Sequence, residues 1–130
     1  MRLAESIARF EKHCQTASTL QTGELSDYFV FTALAMECFR AVDSLIDIGR
    51  AIIAARKITV PDIYRQVLDV LGRHGVIPQS AADAGKRLVY LRNLIVHEYH
   101  LISLEELLEA VNLLFQVEDL IAIARQEAKQ

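Results

Sequence analysis

The chain has no tryptophan, two cysteines, two prolines and five glycines in 130 residues. So few backbone breaks exclude a fold of many short strands and point to an all-α chain. The two cysteines, Cys14 and Cys38, exclude a disulfide scaffold and match no metal-ligand spacing, so each reads as a buried reduced thiol. No stretch approaches the roughly 18 uncharged apolar residues of a membrane span. The start, Met1-Arg2-Leu3-Ala4-Glu5, lacks the apolar core of a signal peptide. A cytoplasmic protein with no membrane partner is expected. Also missing are a glycine-rich phosphate loop, a nucleophile elbow, a His-x-x-x-His pair and the Glu-x-x-His pairs of a di-metal bundle. Neither a metal nor a cofactor is expected. Excess positive charge is lacking too. A net charge of −3 argues against a protein that coats nucleic acid, yet leaves room for a local basic pocket.

What is present is a hydrophobic fraction of 52% against 24% charged residues, enough for one domain over residues 1–130 with its own core. Apolar periodicity predicts an antiparallel bundle of about five helices. In the first, from about Leu3 to Leu20, Leu3, Ile7, Phe10 and Cys14 form one stripe. The second, from about Ser26 to Ala55, is apolar around most of its circumference. Its charges, Glu37, Arg40, Asp43, Asp47 and Arg50, fall in one band about 140° wide at about 100° per residue. Such a helix belongs in the middle of a bundle or against another subunit, and both are expected.

Lys57 to Pro61 reads as a connector, with Pro61 in the first turn of a third helix and Thr59 or Val60 near its cap. Ile63, Tyr64, Val67, Leu68 and Leu71 are its predicted core face, and Gly72 or Gly75 ends it. A fourth helix runs from about Ser80 to Val96. Ser103 and Glu106 form a capping box that opens a fifth, continuous toward the C-terminus.

The chemistry concentrates in Leu91-Arg92-Asn93-Leu94-Ile95-Val96-His97-Glu98-Tyr99-His100. Arginine holds phosphate and never loses its proton, while histidine can take and give protons near neutrality. RNA cleavage without a metal needs a base for the 2′-hydroxyl, an acid for the leaving oxygen and a cation on the phosphate. Arg92 and His97 are five apart, about 140° around a regular helix, and so do not share a face. Asn93 and His97, four apart, do. Either the helix ends near His97 and the imidazole bends back, or the two groups meet across a two-fold axis.

Each residue also has a plain structural role open to it. His97 can bond a carboxylate, Arg92 can pair with Asp43, Asp47 or Glu98, Asn93 can serve the helix end and Tyr99 can pack. Asp43 and Asp47, one turn apart, can orient His97 or pair with Arg40 or Arg50. Lys86 and Arg87 either extend a phosphate strip or form a solvated face, the plainer account. His13, His74 and His100 have no partner visible in the sequence.

Arg92 to Tyr99 resembles the Arg-x4-His-x-Tyr signature of the HepT-type toxins of the HEPN superfamily. Ala41-Val42-Asp43-Ser44-Leu45-Ile46-Asp47-Ile48-Gly49 is similar to that family's second-helix motif. Val60-Pro61-Asp62-Ile63-Tyr64 and Gly75-Val76-Ile77-Pro78 are similar to its connectors. The resemblance implies an all-α, HEPN-like homodimer that is a metal-independent RNA endonuclease. It also implies the toxin role in a type VII pair with a minimal nucleotidyltransferase antitoxin. Arg92 and His97 would be catalytic, with Asn93, Asp43 and Asp47 in support, and Tyr99 would be the tyrosine modified with AMP. The competing expectation is a non-catalytic helical module that scaffolds or delivers substrate to a nucleotidyltransferase partner.

Overall fold

The computed structural model describes residues 2–59, 63, 66–98 and 101–129. Six helices follow one another among them: α1 (Arg2–Leu20), α2 (Tyr28–Ala55), α3 (Val67–Arg73), α4 (Gln79–Glu98), α5 (Leu104–Leu114) and α6 (Glu118–Ala128). The expected apolar stripe of α1 is buried at Leu3, Ile7, Phe10 and Cys14. Its main partner is α2, which lies in the middle of the bundle and packs against all five other helices. That placement accounts for its apolar circumference: Leu34, Cys38, Leu45, Ile48, Ile52 and Ile53 have no exposed surface. The N-terminal end of α2 behaves differently, since Tyr28, Phe29 and Met36 stay exposed.

Helix ends are fixed by local chemistry. Asp27 Oδ1 accepts the backbone N–H groups of Phe29 (2.8 Å) and Val30 (3.4 Å), which sets the start of α2. At its other end Lys57 takes φ 59°, and the N–H groups of Lys57 and Ile58 close back onto the carbonyls of Ala54 and Ile53. α3 ends with the same pair of bonds, from Gly75 to Gly72 and from Val76 to Leu71, with Gly75 at φ 70°. The expected capping box opens α5: Ser103 Oγ accepts the Glu106 N–H at 3.0 Å, and Glu106 Oε1 accepts the Ser103 N–H at 2.9 Å.

Two expectations are corrected. The last helix is not continuous, so there are six helices rather than about five. At the break the N–H groups of Phe115 and Gln116 reach back only three residues, to Asn112 and Leu113. Val117 then enters the core and α6 turns to pack on α1, α2 and α4. Leu114, Val117, Ile121 and Ala124 keep helical spacing across the break, so periodicity reads straight through it. In α3, Val67, Leu68 and Leu71 are buried as expected, but Ile63 is 41% exposed and outside the core. Val60, Pro61, Asp62 and Tyr64, which carry the expected start of α3, lie outside the described residues.

α3 sits very close to both long helices. A Cβ added at Gly49 on α2 would come within 2.6 Å of Val67 Cγ1, and one at Gly85 on α4 within 2.5 Å of Leu68 Cγ. Only glycine allows that approach. α2 and α4 also pack directly on each other. The C-terminal half of α4 then carries the Arg92–His97 segment along α2.

Candidate active site

Arg92 is held from α2. Its Nε donates to Asp43 Oδ1 at 2.9 Å, its Nη1 donates to Asn93 Oδ1 at 3.1 Å, and its guanidinium lies 4.9 Å from the centre of the Phe39 ring. Phe39 and Asp43 are four residues apart, one turn on the same face of α2, so carboxylate and ring grip the cation together. The Arg92 side chain is 17% exposed and that of Asp43 41%. The grip forms the wall of a recess of 260 Å³ lined by Asp43, Ile46, Asp47, Arg50 and Arg92.

His97 is placed quite otherwise. It lies exposed in the last turn of α4 and makes no hydrogen bond or ion pair with the described residues. Within the chain Asp43 therefore bonds Arg92, one of the pairings left open by the sequence, and neither Asp43 nor Asp47 bonds the His97 of the same chain. The reason is geometric: α4 turns Arg92 toward α2, and a residue five positions on faces elsewhere. Asn93 is half-buried and bonded to Arg92. Asp47 is exposed and makes no ion pair with Arg40 or Arg50. Tyr99 and His100 lie outside the described residues.

An apolar groove of 740 Å³ adjoins the site, with Tyr28, Phe31, Met36, Phe39, Ile95 and Val96 among its lining residues. Phe39 belongs to both regions: it lines the groove and stacks on Arg92. Val96, next to His97, is on the groove as well. The two residues of the motif thus stand beside one exposed apolar surface.

Lys86, Arg87 and His13 are paired elsewhere. Arg87 forms a two-pronged pair with Glu109 (2.8 and 2.9 Å), which holds the Glu109 carboxyl below its usual range. Lys86 faces Asp69 at 3.5 Å and Asp83 at 3.9 Å. Neither extends a strip from Arg92, as the solvated-face reading anticipated. His13, to which the sequence assigned no partner, is bonded through Nδ1 to Glu37 at 2.8 Å. Burial pushes the thiols of Cys14 and Cys38 up to about 12 and keeps both protonated. Sequence reasoning missed Phe39. Its position one turn before Asp43 was the available signal. Among the described residues no group of three or more His, Cys, Asp or Glu side chains converges. Nor is any helix among them long and apolar enough to cross a membrane.

A six-helix bundle with Arg-x4-His on its fourth helix, the arginine braced from the second, defines a class. Residues 3–126 match the family described as Ribonuclease HepT-like, and the chain belongs to that family. The mRNA nuclease HepT of Shewanella oneidensis is 26% identical over 85 residues, which are 65% of this chain and 64% of that protein. The match thus spans a little under two thirds of that relative's length. The fold is shared with the tri-AMPylated Shewanella oneidensis HEPN toxin in complex with MNT antitoxin, at a TM-score of 0.87 and 21% identity, covering 96% of this chain and 97% of that one. It is shared as well with YutE, a cytosolic protein of unknown function from Bacillus subtilis, at 0.75 and 16%, covering 98% and 85%.

Proposed function

We propose that this chain is the toxin of a type VII pair, a metal-independent RNA endonuclease that acts as a homodimer. The observation that carries the reading is the contrast at one apolar groove: Arg92 is braced by Asp43 and Phe39, while His97 faces outward a turn and a half further on. One copy turns the two groups apart. A second copy seated on the groove about a two-fold axis brings each His97 toward the partner's Arg92. The exposed Tyr28, Met36 and Val96 support that seating, since grouped apolar surface of this kind marks an interface.

In the proposed reaction His97 takes the proton from a 2′-hydroxyl, and the oxygen so freed attacks the adjacent phosphorus. Arg92 balances the charge that builds on the phosphate oxygens, and Asn93 keeps the guanidinium in line. The bond from phosphorus to the 5′-oxygen breaks, and that oxygen takes a proton as it leaves. The products are a 2′,3′-cyclic phosphate and a 5′-hydroxyl. The solved toxin relative is AMP-bearing and bound to an MNT antitoxin. By extension a minimal nucleotidyltransferase partner moves AMP from ATP to the Tyr99 oxygen and releases pyrophosphate. The bulk and charge added two residues from His97 would close the site to RNA.

The test is induction of wild-type, Arg92→Ala and His97→Ala chains in growing cells, with cleavage of RNA by each purified protein in EDTA. The expected outcome is growth arrest and cyclic-phosphate ends from the wild type alone, with both variants still folded and dimeric. The Arg92–Asp43 pair also favours a second reading, a non-catalytic module that scaffolds or delivers substrate to the nucleotidyltransferase. Wild-type protein that cuts no RNA yet still accepts AMP would establish that reading instead.

A further inference from the structure

The recess beside Arg92 adjoins another. A second one, of 750 Å³, lies between α1 and α2 and is lined by Glu5, Ser6, Arg9, Asp47, Arg50 and Ala51. Asp47 and Arg50 line both recesses, so the two adjoin along α2 as a polar trench. It leads from Arg92 on α4, across α2, to Arg9 on α1. The seven helical steps from Asp43 to Arg50 alone give about 10 Å of wall along α2 at about 1.5 Å each. That exceeds the roughly 3.4 Å rise of one nucleotide along a duplex strand.

The charges of the trench are mixed: Arg92, Arg50 and Arg9 stand among Asp43, Asp47 and Glu5. Arg9 is set in place by donating to Ser6 Oγ at 3.0 Å, a hydroxyl on a residue only 2% exposed. Asp47 and Arg50 are three apart on α2 and both exposed, yet neither bonds the other or any described residue. Opposite charges that leave each other alone on a concave wall suit a ligand that carries both acceptors and donors. A bare polyanion does not fit, because the carboxylates repel it. Single-stranded RNA does: its phosphates accept from guanidinium groups, and its unstacked bases offer exocyclic amines to a carboxylate.

We propose that this trench holds the single-stranded nucleotides flanking the cleaved linkage, with Arg50 and Arg9 on phosphates and Asp47 on a base amine. The inference rests on the ribonuclease reading of Arg92 and His97 and adds the path of the substrate. A trench with balanced charge reads a sequence rather than gripping any RNA, which suits a chain of net charge −3.

The experiment titrates the full chain with 2′-O-methyl RNA oligonucleotides, which lack the attacking hydroxyl, over a range of salt concentrations. Arg9→Ala with Arg50→Ala should weaken binding about tenfold and lower the salt slope by about 1.4, at about 0.7 per phosphate contact. Arg50→Ala alone gives half that change in slope and leaves the Arg9–Ser6 bond intact, which separates loss of binding from loss of fold. Asp47→Asn should shift base preference and leave the slope unchanged. Arg87→Ala, outside the trench, should bind as wild type does. Unchanged affinity and slope in both Arg50 variants would overturn the trench while leaving the cleavage reading intact. Losses as expected, in a wild-type chain that cuts no unmodified RNA, would support the trench and sink the cleavage reading.

Discussion

Two arginines on α4, five residues apart, are held by the same two devices. Arg87 pairs with Glu109 and lies 5.0 Å from the Tyr90 ring; Arg92 pairs with Asp43 and lies 4.9 Å from the Phe39 ring. The surroundings differ. Arg87 is 42% exposed and commits both prongs to one carboxylate, tying α4 to α5 at the surface. Arg92 is mostly covered, bonds both Asp43 and Asn93, and forms the wall of a recess that opens beside an apolar groove. A cation with a carboxylate and a ring is therefore no mark of a site. What singles out Arg92 is where the grip lies.

The comparison breaks most sharply in activity. Arg92→Ala should lower RNA cleavage by about 10²–10³-fold, the usual cost of losing a group that meets charge in the transition state. Arg87→Ala should stay within about twofold, as surface substitutions generally do. Equal losses in a single-turnover assay of the two variants would erase the distinction. The braces come next. Asp43→Ala should cost about tenfold, mostly in kcat, because an unbraced guanidinium must be positioned again in each turnover. Asp43→Glu should recover part of the loss, and Glu109→Ala should leave kcat alone.

Smaller effects sharpen the contrast in stability. Phe39→Leu keeps the groove apolar and removes the ring under Arg92, so denaturant unfolding should lose about 0.5–1 kcal/mol. The least effect belongs to Glu109. Arg87 holds its carboxyl below the usual range, so the pair's contribution is present above that range and fades as the pH falls through the lowered value. The expected result is a shallow acid-side decline in melting temperature that Glu109→Gln flattens and added salt reduces.

Much of this was legible in the residues. Apolar spacing marked α1, α2 and α4, and Ser103 with Glu106 marked the start of α5, because these signals act within a turn or two of chain. The break after Leu114 was not legible: no glycine or proline marks it, and the stripe from Leu114 to Ala124 is the same in a straight helix and a bent one. Nor does anything in Lys57 announce a left-handed residue. It does at the end of α2 what Gly75 does at the end of α3. In the site, Arg92 and His97 stood out by chemistry, and their divergence followed from spacing alone. The choice among three acidic partners for Arg92 did not. Asp43 lies 49 positions away, and only the packing of α2 on α4 brings it near.

That packing is gauged by the shortest helix. α2 rests on α3 at Gly49 and α4 rests on it at Gly85; Asp43 lies six residues back along the first, and Arg92 seven residues on along the second. α3 is thus a shim, and its thickness sets the gap that the ion pair closes two turns away. A single methyl added at either glycine would have to widen the gap or displace Val67 or Leu68. The tuning of the site accordingly reaches into a segment that carries none of its chemistry, and a screen for altered activity confined to the recess would overlook it.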